Sequence, residues 1–174
     1  MKKLPSREQA LRFLRKKNCS VEVVNHCKAV AKLAVETANT LKARGLKVDC
    51  ELVEIGALLH DVGRSKTHSV HHAIVGAEIA KSAGLPCSLV SIIKRHVGGG
   101  ITTSEAEKLG WPKDVYVPVT LEEKIVSYAD KLIESSRRAP IETTIEKLVK
   151  ERRFEAAERV RKLNDEITGL GDDP

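Results

Sequence analysis

An all-α bundle of seven or eight helices is the fold class this sequence predicts, and three observations carry it. Apolar residues recur at three- and four-residue spacing through most of the 174 residues, which is the signature of helices with one buried face. Capping-box patterns punctuate these runs at Ser6-x-x-Gln9, Thr102-x-x-Glu105 and Thr120-x-x-Glu123. Aromatic residues make up only 3% of the chain, so Leu, Val, Ile and Ala fill the core, and no segment alternates with the two-residue period of a strand.

The elements follow in order. Ser6 opens a short basic helix ending near Asn18, and a second helix over about 20–44 carries Val23, Val30, Leu33, Ala34 and Leu41 before stopping at Gly45. His26 lies on its apolar face. A third helix begins near Asp49 and runs through Leu52, Ile55, Leu58 and Leu59 to the pair His60-Asp61, with Gly63 as the C-terminal exit. After polar residues 64–70 a fourth helix starts near His71 or His72. Gly84-Leu85-Pro86 divides it from a fifth, about 87–96, which ends at His96 and the run Gly98 to Gly100. Thr102 caps a short helix ending at Gly110, and prolines keep Trp111 to Pro118 irregular. Thr120 caps a helix bearing Ile125, Val126, Ala129, Leu132 and Ile133, so Asp130 is an acid within an apolar run. One last helix, about 141–167, interleaves charges with Val149, Ala156, Val160, Leu163 and Ile167, its charges forming a solvated outer face.

This length suits a single domain spanning 1–174. No apolar stretch approaches the roughly 20 residues of a membrane span, and the N-terminus lacks the apolar run of a secretory signal, so the chain reads as cytoplasmic with no membrane partner. Cys19, Cys27, Cys50 and Cys87 form no C-x-x-C pair and read as buried free thiols. The net charge of +6 is local: residues 1–17 hold Lys2, Lys3, Arg7, Arg12, Arg15, Lys16 and Lys17 against Glu8 alone, while the remainder balances 23 bases against 23 acids. The basic helix 6–18 is a solvated face, a clamp for a polyanionic substrate or an RNA-binding arm, and with only Phe13 as an aromatic the solvated face is preferred.

Chemistry is concentrated in the histidines. Four of the six (His26, His60, His72 and His96) fall in apolar helices or at their ends, where an imidazole without a partner is costly to bury. Histidine and aspartate offer nitrogen and oxygen ligands to a divalent ion, so His26, His60, Asp61 and Asp130 supply enough to hold one metal with positions left for water. Mn, Fe, Co, Ni and Zn all accept such ligands. Arg64 and Lys66, just past the pair, suit phosphate oxygens, with Lys131, Arg137 and Arg138 as weaker candidates.

The order H…HD…D resembles the signature of the HD-domain metal-dependent phosphohydrolases over about residues 20–138. The contexts VVNHCKAVAKLA, GALLHDVGR and EEKIVSYADKLIE look like the corresponding family segments. The resemblance implies an HD-domain bundle with the metal site at its centre and the Gly98–Gly100 loop near its mouth. His72, in HHAIVGAEIAKSAGLP, and His96, in IIKRHVGGG, fall where two-metal branches carry extra ligands; His71 is the alternative to His72. One or two ions would then bind, a second sharing Asp61 as a bridge, and Asp61 would accept a proton from water. Two-metal members include cyclic-dinucleotide phosphodiesterases and diadenosine tetraphosphate hydrolases, but this chain lacks the GYP triplet of one branch, and HDVG, close to the HDIG variant, does not select a substrate.

The function implied is hydrolysis of a phosphoester bond in a small nucleotide-type substrate, by a phosphodiesterase or nucleotidase. A dinucleoside polyphosphate hydrolase is the alternative within that class. A metal-stabilised module that binds a nucleotide or RNA without turnover is the alternative outside it, and an intact ligand set with open positions argues against that.

Overall fold

A computed structural model describes residues 3–171; Lys2 of the basic segment lies outside them. Among the described residues the chain forms α1 (Arg7–Lys16), α2 (Val21–Ala43), α3 (Cys50–Leu59), α4 (His72–Ser82), α5 (Cys87–Arg95), α6 (Thr103–Lys108), α7 (Leu121–Lys131), α8 (Ile141–Lys150) and α9 (Phe154–Gly171). A 3₁₀ turn, Val62–Ser65, follows α3, and another, Val97–Gly99, follows α5. None of these helices is long and apolar enough to cross a membrane.

The start signals act as the sequence predicts. Ser6, Thr102 and Thr120 each accept from the backbone N–H three residues on, while Gln9, Glu105 and Glu123 return the bond to the cap N–H, satisfying donors a helix start would otherwise orphan. Ser20 and Asp49 cap α2 and α3 from one side only.

At the centre α3 packs between α2, α5 and α7. Its apolar residues Val53, Ile55, Leu58 and Leu59 meet Cys27, Val30 and Ala34 of α2, Ile92 and Ile93 of α5, and Ile125, Val126 and Ala129 of α7 in one buried cluster. The helix that ends in His60-Asp61 is therefore surrounded, and its C-terminus opens inside the bundle. Gly63 does more than let the helix stop. A Cβ at this position would overlap the carbonyl oxygen of His72 and lie 2.6 Å from the Gly76 nitrogen. The turn after α3 thus docks directly on the backbone of α4, which brings His72 beside Asp61. A smaller cluster, Ala73, Ile101, Ala106, Trp111 and Tyr116, packs beside the start of α4, pinned by the bridge Ile101↔Tyr116.

Three sequence expectations need correction. The last helix is two: Arg152 takes a left-handed φ of 57°, the N–H groups of Arg152 and Arg153 bond to Val149 and Leu148 carbonyls, and α8 ends there. No glycine, asparagine or proline marks the break, so the apolar periodicity runs through it. A left-handed non-glycine residue costs about 1 kcal/mol or more. Arg152→Gly is accordingly expected to leave stability unchanged or raise it by up to about 1 kcal/mol in urea unfolding; a loss larger than that would mean the Arg152 side chain is itself holding the turn. Secondly, β1 (Ile133–Glu134) and β2 (Arg137–Arg138) form a small antiparallel hairpin with Ser135, φ 55°, at its tip, too short for alternation to register. Thirdly, of the four free cysteines only Cys27 is buried; Cys19 and Cys50 are half-buried and Cys87 is exposed.

Candidate metal centre

Six side chains from five helices converge at the end of α3. His26 comes from α2, His60 and Asp61 from the end of α3, His72 from the first residue of α4, His96 from the end of α5, and Asp130 from the last turn of α7. His60, Asp61, His72 and His96 are almost wholly buried, at 0, 2, 4 and 2% exposure, while His26 and Asp130 are half-buried at the edge.

Each imidazole is oriented by its own helix or by a neighbouring turn. Nδ1 lies 2.7 Å from the Ala57 carbonyl in His60, 2.7 Å from Ser69 in His72, 2.8 Å from Ile93 in His96 and 2.8 Å from Ser135 in His26. A carbonyl oxygen only accepts, so each Nδ1 carries a proton, and each ring in its neutral form presents a bare Nε2 lone pair inward. This is the arrangement by which outer partners prepare histidine to bind a metal.

The Nε2 atoms gather around two carboxylates. His26 and His60 stand 2.9 and 3.3 Å from Asp130 Oδ1 and 3.8 and 3.7 Å from Asp61 Oδ2. His72 and His96 stand 3.1 and 3.5 Å from Asp61 Oδ1, and their Nε2 atoms are 3.1 Å from each other. Two lone pairs that close repel unless a cation lies between or beside them. His60 Nε2 and Asp61 Oδ1, both buried, have no hydrogen-bond partner. Buried polar atoms without partners are rare, and a donor set of this kind fits a divalent ion. Two groups have ligand atoms within 4.8 Å of one another: His26, His60 and Asp130, and His60, Asp61 and His96.

The electrostatics ask for positive charge at the same point. Burial alone would raise the Asp61 and Asp130 carboxyls, yet both are held well below the usual carboxylate range, Asp61 by His60, His72 and His96, Asp130 by Lys131 and by His26 and His60. Burial depresses His60, but Asp61, Cys27 and Asp130 together outweigh it and the ring is pushed up; His96, lowered by burial and by its neighbours His60 and His72, falls to about 4. Protons on the imidazoles are one way to balance the buried carboxylates, and a divalent ion competes with them, so metal uptake releases protons.

Above the centre lies a cavity of about 670 Å³, and a second of about 710 Å³ opens on the other side of a partition formed by His26, Arg64, His68 and Ser135. Arg64 lines both, with its Nε 2.6 Å from Asp61 Oδ2. Lys66 is exposed and lines neither, because the 3₁₀ turn directs Arg64 inward and leaves its second neighbour outside. Lys131 lines the first cavity and pairs with Asp130; Arg137 and Arg138 sit exposed on β2, away from both cavities. His71 turns outward, and its Nδ1 accepts a 2.8 Å bond from Trp111 Nε1. Val97 and Gly98 of the glycine run line the cavity, but no residue of α1 lines either one. The Ser135 carbonyl behind His26, and Thr144, Lys147 and Arg153 along the cavity wall, escaped sequence reasoning. A backbone acceptor has no residue signature, and the other three lie in a region whose charges looked uniformly solvated.

Comparison with known proteins places this geometry. Residues 23–134 match the HD domain model. The chain is 47% identical to an uncharacterized protein of Methanocaldococcus jannaschii over 94% of its own length and 97% of that protein's. It is 39% identical to a tRNA (cytidine(56)-2'-O)-methyltransferase of Picrophilus torridus over 98% of its length, but spans only 48% of that relative. Among solved structures, the phosphodiesterase PgpH HD domain of L. monocytogenes in complex with cyclic-di-AMP superimposes with a TM-score of 0.54, covering 95% of this chain and 98% of that one at 19% identity.

Proposed function

The chain belongs to the HD domain family, and from that premise we propose that it is a metal-dependent phosphohydrolase cleaving a phosphoester bond of a nucleotide-type substrate. The observation that carries the proposal is the convergence of four imidazoles, each with Nδ1 committed to a backbone carbonyl, on the Asp61 carboxylate whose Oδ1 is left without a partner.

His26, His60 and Asp130 would hold one ion and Asp61, His72 and His96 a second, Asp61 lying between the groups; Mn, Fe, Co, Ni and Zn all suit these donors. When bound, such ions lower the pKa of a bound water and neutralise phosphate oxygens. The remaining chemistry belongs to the chain. Asp61 Oδ2, held by Arg64, is aimed into the centre and is placed to accept the proton of the attacking water. Water oxygen bonds to phosphorus, the ester oxygen departs and takes up a proton, and a phosphate and an alcohol result. Arg64 and Lys131, at the mouth, would bind the non-bridging oxygens by charge-assisted hydrogen bonds. Burial of the ligand shell keeps bulk water from diluting these interactions.

The nucleotide assignment draws support from the PgpH HD domain, which shares the fold and whose structure contains cyclic-di-AMP. A cavity of about 670 Å³ beside the centre has the capacity for a ligand of that class. The test is hydrolysis by metal-loaded protein of a panel containing nucleotide monoesters, cyclic nucleotides, cyclic dinucleotides and dinucleoside polyphosphates. Turnover of one class is expected. Protein that is folded and metal-bound yet cleaves none of them would overturn the reading in favour of a binding module.

A further inference from the structure

We propose that the cavity wall built by α8 and the turn after it is a subsite for a phosphate other than the one cleaved, so that the preferred substrate is a phosphodiester bearing an additional phosphate group. The inference rests on the phosphohydrolase reading of the metal centre.

The two cavities flank the centre and share His26, Arg64, His68 and Ser135, so a phosphorus held over the metal ligands has room for a substituent on each side. A terminal monoester would use one side only. The two sides differ in charge. Apart from the shared Arg64, the 710 Å³ side offers no cation: Ser20, Asn25 and Ser136 line it together with Glu22. The 670 Å³ side holds Lys131, paired with Asp130 at the centre, and adds Lys147 and Arg153 farther along the wall.

The Lys147 and Arg153 side chains are exposed, but the backbone that carries them is fixed against the site. Thr144 Oγ1 donates to the Lys131 carbonyl at 2.8 Å, which pins α8 one residue from Asp130, and Leu148 is buried in the cavity floor. The left-handed Arg152 then ends α8, with Arg153 N bonded to the Leu148 carbonyl at 2.8 Å, and the next side chain enters the cavity, its Nη2 3.5 Å from where a Cβ on Gly98 would sit. Backbone strain at a non-glycine residue persists where the surroundings hold it, and here it delivers a guanidinium to the mouth. Two exposed carboxylates, Glu134 and Glu151, line the same side. Glu151 approaches Arg153 only to 3.7 Å, beyond the roughly 2.7–2.9 Å of a formed charge-assisted bond, so the donors of Arg153 are uncommitted. A phosphate, with more charge and more acceptors than one carboxylate, displaces it. Thr144, Lys147, Leu148, Glu151, Arg152 and Arg153 all lie beyond position 134, where the match to the HD domain model ends.

The test compares the dinucleotide pApA, with its 5′-phosphate, with ApA, which lacks it, using the metal-loaded full chain at physiological ionic strength. A kcat/KM for pApA roughly tenfold above that for ApA is expected, as two charge-assisted contacts provide. In the double variant Lys147→Ala/Arg153→Ala the ratio should fall to about one. A ratio near one in the unaltered protein, or a preference that survives the double substitution, overturns the subsite. If neither dinucleotide is cleaved, the phosphohydrolase reading has failed for this bond, and equilibrium binding decides the subsite on its own. Tighter binding of pApA than ApA, lost in the double variant, supports it; equal binding in the unaltered protein overturns it.

Discussion

Asp61→Ala is expected to abolish metal-linked stability and hydrolysis together while leaving the helical bundle intact. Asp61 lies within 4 Å of all four inward Nε2 atoms, so its loss withdraws the carboxylate that faces both groups. The imidazoles carry no negative charge in either protonation state and cannot replace the lost carboxylate. A metal contributes several kcal/mol to the transition state of phosphoester cleavage, so kcat should fall by at least about three orders of magnitude. Stability should also respond. An ion present at about 100 times its dissociation constant adds about 2.7 kcal/mol to the folded state. At roughly 2–4 °C per kcal/mol for a chain of this size, metal should raise the melting temperature of the unaltered protein by about 5–11 °C. The variant should show the same far-ultraviolet circular dichroism and no such rise. Undiminished metal stoichiometry in Asp61→Ala would remove this residue from the ligand set, whatever the activity did.

Much of the site was legible because its residues combine two signals that rarely coincide. His60-Asp61 closes an apolar helix, and Asp130 interrupts the apolar face of another, so each is a polar group placed where burial is costly. The order of those residues, with His26, resembled one family and supplied the expectation that they meet. His72 and His96 were placed beside Asp61 by the same resemblance. Nothing in sequence spacing says that two helix ends 24 residues apart will put their Nε2 atoms 3.1 Å from each other.

What escaped reading lies where the information is in backbone or tertiary contact. Ser135 matters through a carbonyl at the tip of a hairpin with two residues in each strand. The α8–α9 break rests on a left-handed arginine, a conformation the sequence does not announce. Lys66 and Arg64 are alike in sequence context, and only the 3₁₀ turn sends one toward Asp61 and the other into solvent. His71 and His72 are likewise indistinguishable as residue types; the start of α4 turns His72 toward Asp61 and hands His71 to Trp111.

Gly63→Ala should be more damaging than the same change at Gly76 or Gly45, and the reason is the docking of the α3 exit on α4. The added carbon would overlap the His72 carbonyl oxygen and lie 2.6 Å from the Gly76 nitrogen. Both are backbone atoms of the α4 segment and cannot rotate away. Relief requires α4 to move as a body, which opens the interface to α5 and carries His72 away from Asp61. Overpacking against side chains costs about 1–3 kcal/mol, and an unyielding backbone clash should exceed about 3 kcal/mol. Two other glycines calibrate the claim. Gly76→Ala meets Ile93 Cγ2 at 2.9 Å, a side chain that can give, and the backbone nitrogen of Gly63 at 3.1 Å, which needs a shift of only a few tenths of an ångström, so about 1–3 kcal/mol is expected. Gly45→Ala meets nothing within 4 Å and bears only the left-handed penalty of its φ of 89°, about 1–2 kcal/mol. Urea unfolding of the three variants should place Gly63→Ala clearly last, with metal affinity weakened in Gly63→Ala and unchanged in Gly45→Ala. Similar stability losses for Gly63→Ala and Gly45→Ala would mean that α4 is free to slide on the turn, and the position of His72 would then need another cause.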